Sequence, residues 1–222
     1  MSDALSGMLP IAVAIAVSPI PILAVILMLL TERSTANAVA FLVGWALALA
    51  VIGGVVAALG IGRTDSAEDP GTGLLVAQFV LAAVLLAGGV RRWRMRARAG
   101  VDHETPKWVS AVRSVTPPRA LALGVGLIAL NPKDGLLTVA AGARLAESDA
   151  GTGAAAVALV VFVAVSSATI VAPILAEAAM GARAEPILER SRHWLERNGN
   201  AAVAVVLLVL GVLIAIDAAR YV

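Results

Sequence analysis

The chain has 222 residues, of which 60% are apolar, 14% charged and 4% aromatic, and its mean hydropathy is +0.92. An ordinary soluble domain is about 45–50% apolar and about 25% charged, so that class is excluded. Cysteine is absent, which excludes disulfides, thiolate metal sites and cysteine nucleophiles. The net charge of +2 says less than the placement of the charges.

Crossing about 30 Å of hydrocarbon takes roughly 20 apolar residues in a helix. Six runs meet that need, at Met8–Leu30, Ala36–Gly60, Leu74–Val90, Ala120–Leu145, Gly153–Met180 and Asn200–Ala219. The runs are continuous rather than alternating, so they read as helices and not as barrel strands. Met1, Ser2 and Asp3 carry no basic charge and the first run is long, so it reads as a span rather than a cleaved signal peptide. The expected fold is an all-α integral membrane domain filling residues 1–222. Its repeats cover about 8–90 and about 120–219, joined by a basic loop, 91–119.

Span two stops at Gly60-Ile61-Gly62, before the acidic turn Asp65–Gly71. Thr116-Pro117-Pro118 is expected to be extended at the end of the basic loop. Glu185–Asn198, with Pro186 in its first turn and Ile187, Leu188, Trp194 and Leu195 on one face, reads as a surface helix in the membrane interface or as a solvated connector. Of the 17 Lys and Arg residues, thirteen lie in loops 31–35, 91–119 and 181–199, which six spans put on one side. Arg63, Arg144 and Arg220 lie on the other, and Lys133 is inside a span. The positive-inside rule then puts the basic loops in the cytoplasm and both termini outside.

Spans one and four are each interrupted by proline near the middle, at Ser18-Pro19-Ile20-Pro21 and Asn131-Pro132-Lys133-Asp134. Superimposing Pro19 on Pro132 sets an offset of 113, which also pairs Ser18 with Asn131, Gly53-Gly54 with Ser166-Ser167, and Gly60 with Pro173. Three spans per copy is an odd number, so the second copy is inverted in the membrane, an arrangement that transporters use. Proline frees backbone groups, which hydrocarbon tolerates only where they are buried in protein or line a cavity. Two such breaks point to one central cavity, or else to a pair of packing kinks.

Lys133 and Asp134 sit near the centre of span four, where an ion costs roughly 2.5–3.5 kcal/mol on insertion scales. Lys133 could hold a carboxylate, phosphate or sulfate group, carry a proton, or pair with Asp134 to fix helix packing. Ser166, Ser167 and Thr169 are candidates for close helix packing or for lining the cavity, and Gly88, Gly89, Gly124 and Gly126 for close packing. Glu32, Arg33, Glu177 and Asp217 read as interfacial, and Gln78 as an interhelical donor. Arg91, Arg92, Arg94, Arg96 and Arg98 interleave with Trp93 directly after a span, so they point to anionic-lipid contact and a topology signal rather than to nucleic acid. His103 and His193 have no metal-ligand company, and no hydrolase, phosphate-loop or dinucleotide signature is present. The expectation is no enzyme, no cofactor and no metal.

Ser18-Pro19-Ile20-Pro21, Phe41-Leu42-Val43-Gly44-Trp45 and Asn131-Pro132-Lys133 resemble the GAP family, over about residues 8–219. This is the peptidoglycolipid-addressing family, also called the Sap or sulfolipid-addressing family, of the lysine-exporter superfamily. The resemblance implies six spans, an actinobacterial cytoplasmic membrane and outward movement of envelope lipids or glycolipids. It puts Ser18, Pro19, Pro21, Asn131, Pro132 and Lys133 in the functional centre, with Asp134 beside them at a place that a neutral residue would also suit. The expected activity is a secondary transporter or flippase for an anionic lipid. The alternatives are an exporter of a small hydrophilic solute such as an amino acid, and a scaffold for lipid-synthesis enzymes. Membrane lipids are the expected partners, with room for a homodimer.

Cysteines introduced at Ser66 and Thr105 are expected to react with an impermeant thiol reagent from opposite sides of the membrane; labelling of both from outside would refute six spans.

Overall fold

The structure, a computed structural model, describes residues 2–31, 34–61, 82–83, 86–94, 115–148 and 150–219. Among the described residues it is helical, with no strand. The helices are α1 (Ser2–Ala16), α2 (Pro19–Leu29), α3 (Ser34–Ala58), α4 (Pro117–Leu130), α5 (Pro132–Glu147), α6 (Thr152–Met180) and α7 (Glu185–Ala219), with a 3-10 turn at Gly181–Ala184 between the last two. Residues 86–94 are helical as well. Two uninterrupted stretches are long and apolar enough to cross a bilayer, Thr35–Ala58 and Thr152–Val209. Two bent pairs pass the same test when each is taken as one span, which makes up to four among the described residues. Most of the expected third span, Leu74–Val90, lies outside the described residues, as do Glu32, Arg33, the acidic turn Asp65–Gly71, Gln78, Arg96, Arg98 and His103.

The bent pairs fall at the two proline motifs, Ser18–Pro21 and Asn131–Pro132. The chain turns by 52° between α1 and α2 and by 77° between α4 and α5. Pro10 lies inside α1 without ending it, whereas Pro19 begins a new helix. Neighbouring prolines make the difference. Pro19 and Pro21 remove two N–H groups from one turn, the helical partners of the Ile15 and Val17 carbonyls.

Three expectations are corrected. The Thr116-Pro117-Pro118 segment is not extended throughout: Thr116 alone is extended, as the N-cap, and Pro117 opens α4. Proline suits that first position because its missing N–H would have no helical acceptor there. Glu185–Asn198 is not a separate surface helix but the first part of α7, which runs unbroken to Ala219. Leu188 and Leu195 are buried while Ile187 and Trp194 are exposed, so the apolar residues that the sequence groups on one face divide between two environments. Gly126 makes no close packing contact, since a Cβ there would meet nothing within 4 Å.

The chain divides into two units, one within Met1–Arg63 and Thr105–His193, the other within Thr64–Glu104 and Trp194–Val222. In the first, α3 packs against α4, α5 and α6, while α1 packs against α5 and α6. The α3–α4 crossing brings backbone against backbone: a Cβ on Gly44 would strike the Leu121 carbonyl, and one on Gly124 the Phe41 carbonyl. Small residues allow such an approach in membranes, where dispersion and hydrogen bonds replace the hydrophobic effect as the cause of helix association. Phe41 and Trp45 flank the crossing, fully buried and stacked with ring centroids 6.2 Å apart. Gly142 plays the same part between α5 and α3, where a Cβ would lie 2.6 Å from the Gly53 carbonyl. One end of this unit holds Gly7 beside Arg144. At another, Thr35 donates to Glu177 (3.1 Å) and Asn37 to the Val115 carbonyl (2.9 Å).

In the second unit, the stretch 86–94 lies antiparallel to the later part of α7. A Cβ on Gly211 would meet Leu86 at 2.8 Å and one on Gly89 would meet Leu208 at 2.8 Å, while Arg92 donates to Asn200 at 3.1 Å. Gly88 has looser surroundings, with Leu207 at 3.7 Å.

Gly124→Leu is expected to force α3 and α4 apart and destabilise the fold by about 1–3 kcal/mol or more, as overpacking does. Gly126→Ala is expected to be neutral or stabilising by up to about 1 kcal/mol, through helix propensity. Thermal unfolding in detergent, followed by tryptophan fluorescence, checks both; equal behaviour of the two variants would refute the backbone crossing.

Candidate functional site

The site forms where the two helix breaks touch. In a continuous helix Ser18 N–H would bond the Ala14 carbonyl, but here it bonds Ile15 O (3.0 Å), whose own helical partner would have been the N–H that Pro19 lacks. Ala14 O is thereby released, and Ala16 O loses its partner because Ile20 has entered the new helix. Side chains from the second half of the chain take up both. Lys133 Nζ donates to Ala14 O (2.8 Å) and Thr169 Oγ1 to Ala16 O (2.6 Å). An ammonium at this place also faces the negative end of the α1 dipole.

The second break is a helix start. Asn131 is the N-cap of α5, its side-chain oxygen accepting from the Lys133 backbone N–H (3.1 Å), and Pro132 occupies the first helical position. Asp134 follows in the first turn, where the helix dipole favours a carboxylate. Its Oδ2 accepts from Ser18 Oγ (2.9 Å) and from Asn131 Nδ2 (2.7 Å), and its Oδ1 lies 3.0 Å from Lys133 Nζ as an ion pair. Thr138 Oγ1 donates back to the Asp134 carbonyl (2.7 Å). Asp134 is fully buried and Ser18 nearly so, while the Lys133 side chain keeps 13% exposure. Adjacent residues on a helix differ by about 100° in direction, yet the flexible lysine stem turns its ammonium back to its neighbour.

Of the residues that the sequence singles out, Ser18, Asn131, Lys133 and Asp134 thus come together, with Pro19, Pro21 and Pro132 shaping the backbone around them. The two breaks are in direct contact through Ser18 and Asp134 rather than facing each other across an open gap. Thr169 joins through Ala16. Ser166 and Ser167 are buried on α6, and their hydroxyls have no hydrogen-bond partner among the described residues. Arg91, Arg92 and Arg94 are exposed in the second unit. The Ala14 carbonyl and Thr138 are contacts that sequence reasoning misses. A threonine four residues after an aspartate is a weak signal, and a carbonyl acceptor leaves no sequence signal at all. A separate half-open cleft of about 250 Å³ is lined by Leu29, Leu30, Thr31, Glu177, Gly181, Ala182, Glu185 and Leu188. Its two carboxylates suit it poorly to an anion.

The helices and this centre define a helical membrane protein with a charged, hydrogen-bonded junction between two broken helices. The family model described as Sap, sulfolipid-1-addressing protein, matches residues 8–219, and the chain belongs to that family. Comparison with curated proteins and with solved structures gave no significant match.

Thr169→Val is expected to leave Ala16 O unpartnered in a buried place and to destabilise the protein by about 1–3 kcal/mol. Thr35→Val, which removes an exposed bond to Glu177, is expected to stay within about 0.5 kcal/mol. Thermal midpoints in one detergent test this; equal losses would mean that Thr169 does not support the break.

Proposed function

We propose that the protein is a secondary transporter or flippase that moves an anionic lipid, glycolipid or lipid-like envelope component across the bacterial cytoplasmic membrane. The observation that carries this reading is the buried Lys133–Asp134 pair, set where two broken helices from different halves of the chain meet. Buried ions and discontinuous helices at one point are costly in a membrane, and their recurrent use is to recognise polar cargo at mid-depth. Family membership supports a lipid of the envelope as that cargo. Lys133 is the group that would meet an acidic head group, with Ser18 and Asn131 as donors beside it. The basic cytoplasmic loops, including Arg91, Arg92, Arg94, Arg96 and Arg98, would gather anionic lipid on the side from which it departs.

Six spans in two inverted copies complete this reading, within the wider lysine-exporter superfamily, as a protein that is not an enzyme. Reciprocal packing supports the two copies. Where α1 of the first copy meets α6 of the second, α4 of the second meets α3 of the first; α2 meets α6 as α5 meets α3. The antiparallel run of 86–94 along α7 suits spans three and six crossing in opposite senses. The end holding Thr35, Asn37, Val115 and Glu177 groups residues that the charge pattern assigns to the cytoplasm, and Gly7 beside Arg144 groups two assigned outside.

One observation favours a second reading, export of a small solute. The centre is a neutral pair, and one ammonium beside one carboxylate matches the two ends of an amino acid. A scaffold for lipid-synthesis enzymes has no comparable observation behind it.

Reconstituted liposomes separate the two transport readings. Wild type is expected to accelerate transbilayer movement of a fluorescent phosphatidylglycerol and not efflux of labelled amino acids. Lys133→Ala is expected to lower that rate about tenfold or more, in line with loss of a charged hydrogen bond of about 1.5–3 kcal/mol. Unimpaired movement by a normally inserted variant would overturn the reading, and amino-acid efflux without lipid movement would replace it by the second.

A further inference from the structure

The Lys133 ammonium is not vacant. It is engaged by Asp134 Oδ1 at 3.0 Å and by the Ala14 carbonyl at 2.8 Å. What surrounds the Asp134 carboxylate is the set of partners that an acidic head group would seek: an ammonium, a serine hydroxyl, an asparagine amide N–H and the N-terminal end of a helix. The other break offers no equivalent. α2 begins Pro19-Ile20-Pro21, so two of its first three residues have no N–H to donate. The junction therefore holds one anion-binding arrangement, and a side chain of the protein already fills it.

Charge sharpens the point. Among the described residues, the polar contacts at the junction involve no charged group besides Lys133 and Asp134; α1 contributes the Ala14 and Ala16 carbonyls, and α6 contributes Thr169. An anion that joined Lys133 while Asp134 stayed in place would put two negative groups beside one positive group in a buried site, where repulsion is little screened. The arriving group and Asp134 exclude each other. Asp134 stands in the first turn of α5, directly after the 77° bend.

We infer that Asp134 is a built-in stand-in for the anionic group of the cargo: it fills the site made by Lys133, Ser18 and Asn131 when cargo is absent, and the head group of an anionic lipid binds by displacing it. This rests on the proposed function, in which the head group meets Lys133. It adds that the resting centre is self-inhibited, and that a neutral lipid, which cannot displace a carboxylate from an ammonium, is rejected there. On α6, the Ser166 hydroxyl is buried and has no hydrogen-bond partner among the described residues, one turn from Thr169 on the same face.

The test measures binding of phosphatidylglycerol to the full chain in neutral-detergent micelles, with phosphatidylcholine as the neutral control, by native mass spectrometry and tryptophan fluorescence. Asp134→Asn keeps an amide oxygen for Ser18 and Asn131 but removes the competing charge. It is expected to bind phosphatidylglycerol about tenfold more tightly than wild type or better, a gain of about 1.4 kcal/mol. Asp134→Glu keeps the charge and is expected to show none of the gain of Asp134→Asn, and Lys133→Ala is expected to lose the binding. Inorganic phosphate that competes with the lipid on Asp134→Asn would identify the head group, rather than the acyl chains, as what the site holds. Should Asp134→Asn unfold in plain micelles, recovery with phosphatidylglycerol but not phosphatidylcholine is the expected result, and recovery with neither overturns the inference. Binding by Asp134→Asn that is no tighter than wild type, with Lys133→Ala still deficient, also overturns it while leaving the proposed function standing. Wild-type binding by Lys133→Ala would remove the proposed function itself.

Discussion

A backbone carbonyl freed inside hydrocarbon must find a donor, and the nearest water is at the membrane surface. The junction between the two helix breaks depends on that constraint. The prolines around Ser18 release Ala14 O and Ala16 O, and the hydroxyl of Ser18 itself donates to Asp134 instead. Lys133 and Thr169, more than a hundred residues later, supply the donors. The break in the first half of the chain is stable because the second half is folded against it. The dependence also runs the other way, since Asp134 Oδ2 takes one of its two hydrogen bonds from Ser18 and the other from Asn131.

Placing an ion pair at such a junction serves two needs together. The ammonium lies at the carbonyl end of α1 and the carboxylate at the amide end of α5, so each charge meets a helix terminus of opposite sign as well as its partner. A buried pair of this kind stabilises little over an apolar replacement, but removal of one partner is severe, about 3–5 kcal/mol, because the other charge is left uncompensated. The pair is therefore weak evidence for stability as its purpose. In the transport reading proposed above, a neutral pair at the meeting point of two bent helices suits a centre whose partners change as cargo arrives. Its neutrality also distinguishes it from an open cationic site, which would attract any anion within reach.

The helices that hold the junction are positioned by absence of side chain rather than by bulk. Gly44 and Gly124 let α3 and α4 touch along their backbones, and Gly142 lets α5 close on Gly53. Because α3 packs against α4, α5 and α6, the close approach at these glycines sets the spacing of the helices on either side of the second break. Stacked Phe41 and Trp45 fill the volume beside the crossing.

Much of this was legible in the sequence. Span length and apolar continuity follow from the thickness of hydrocarbon, so composition and run length alone identify a helical membrane protein. The breaks follow from proline's missing N–H, and the matching motifs around Pro19 and Pro132 are visible without coordinates. Local chemistry, however, does not say which residue far along the chain meets which. That Asp134 rather than Lys133 is the most buried group, that Ala14 O is the lysine's second partner, and that Gly124 is in contact while Gly126 is not are all results of packing. The joining of Glu185–Asn198 to the final helix is another, because its amphipathic pattern suits an interface helix equally well. By itself the sequence determined that two spans carry proline motifs at corresponding places and that Lys133 and Asp134 sit beside the second, since both are read from covalent structure. Only the tertiary structure decided how the ion is held, because hydrogen bonds between residues 116 to 153 positions apart form only once the helices have packed.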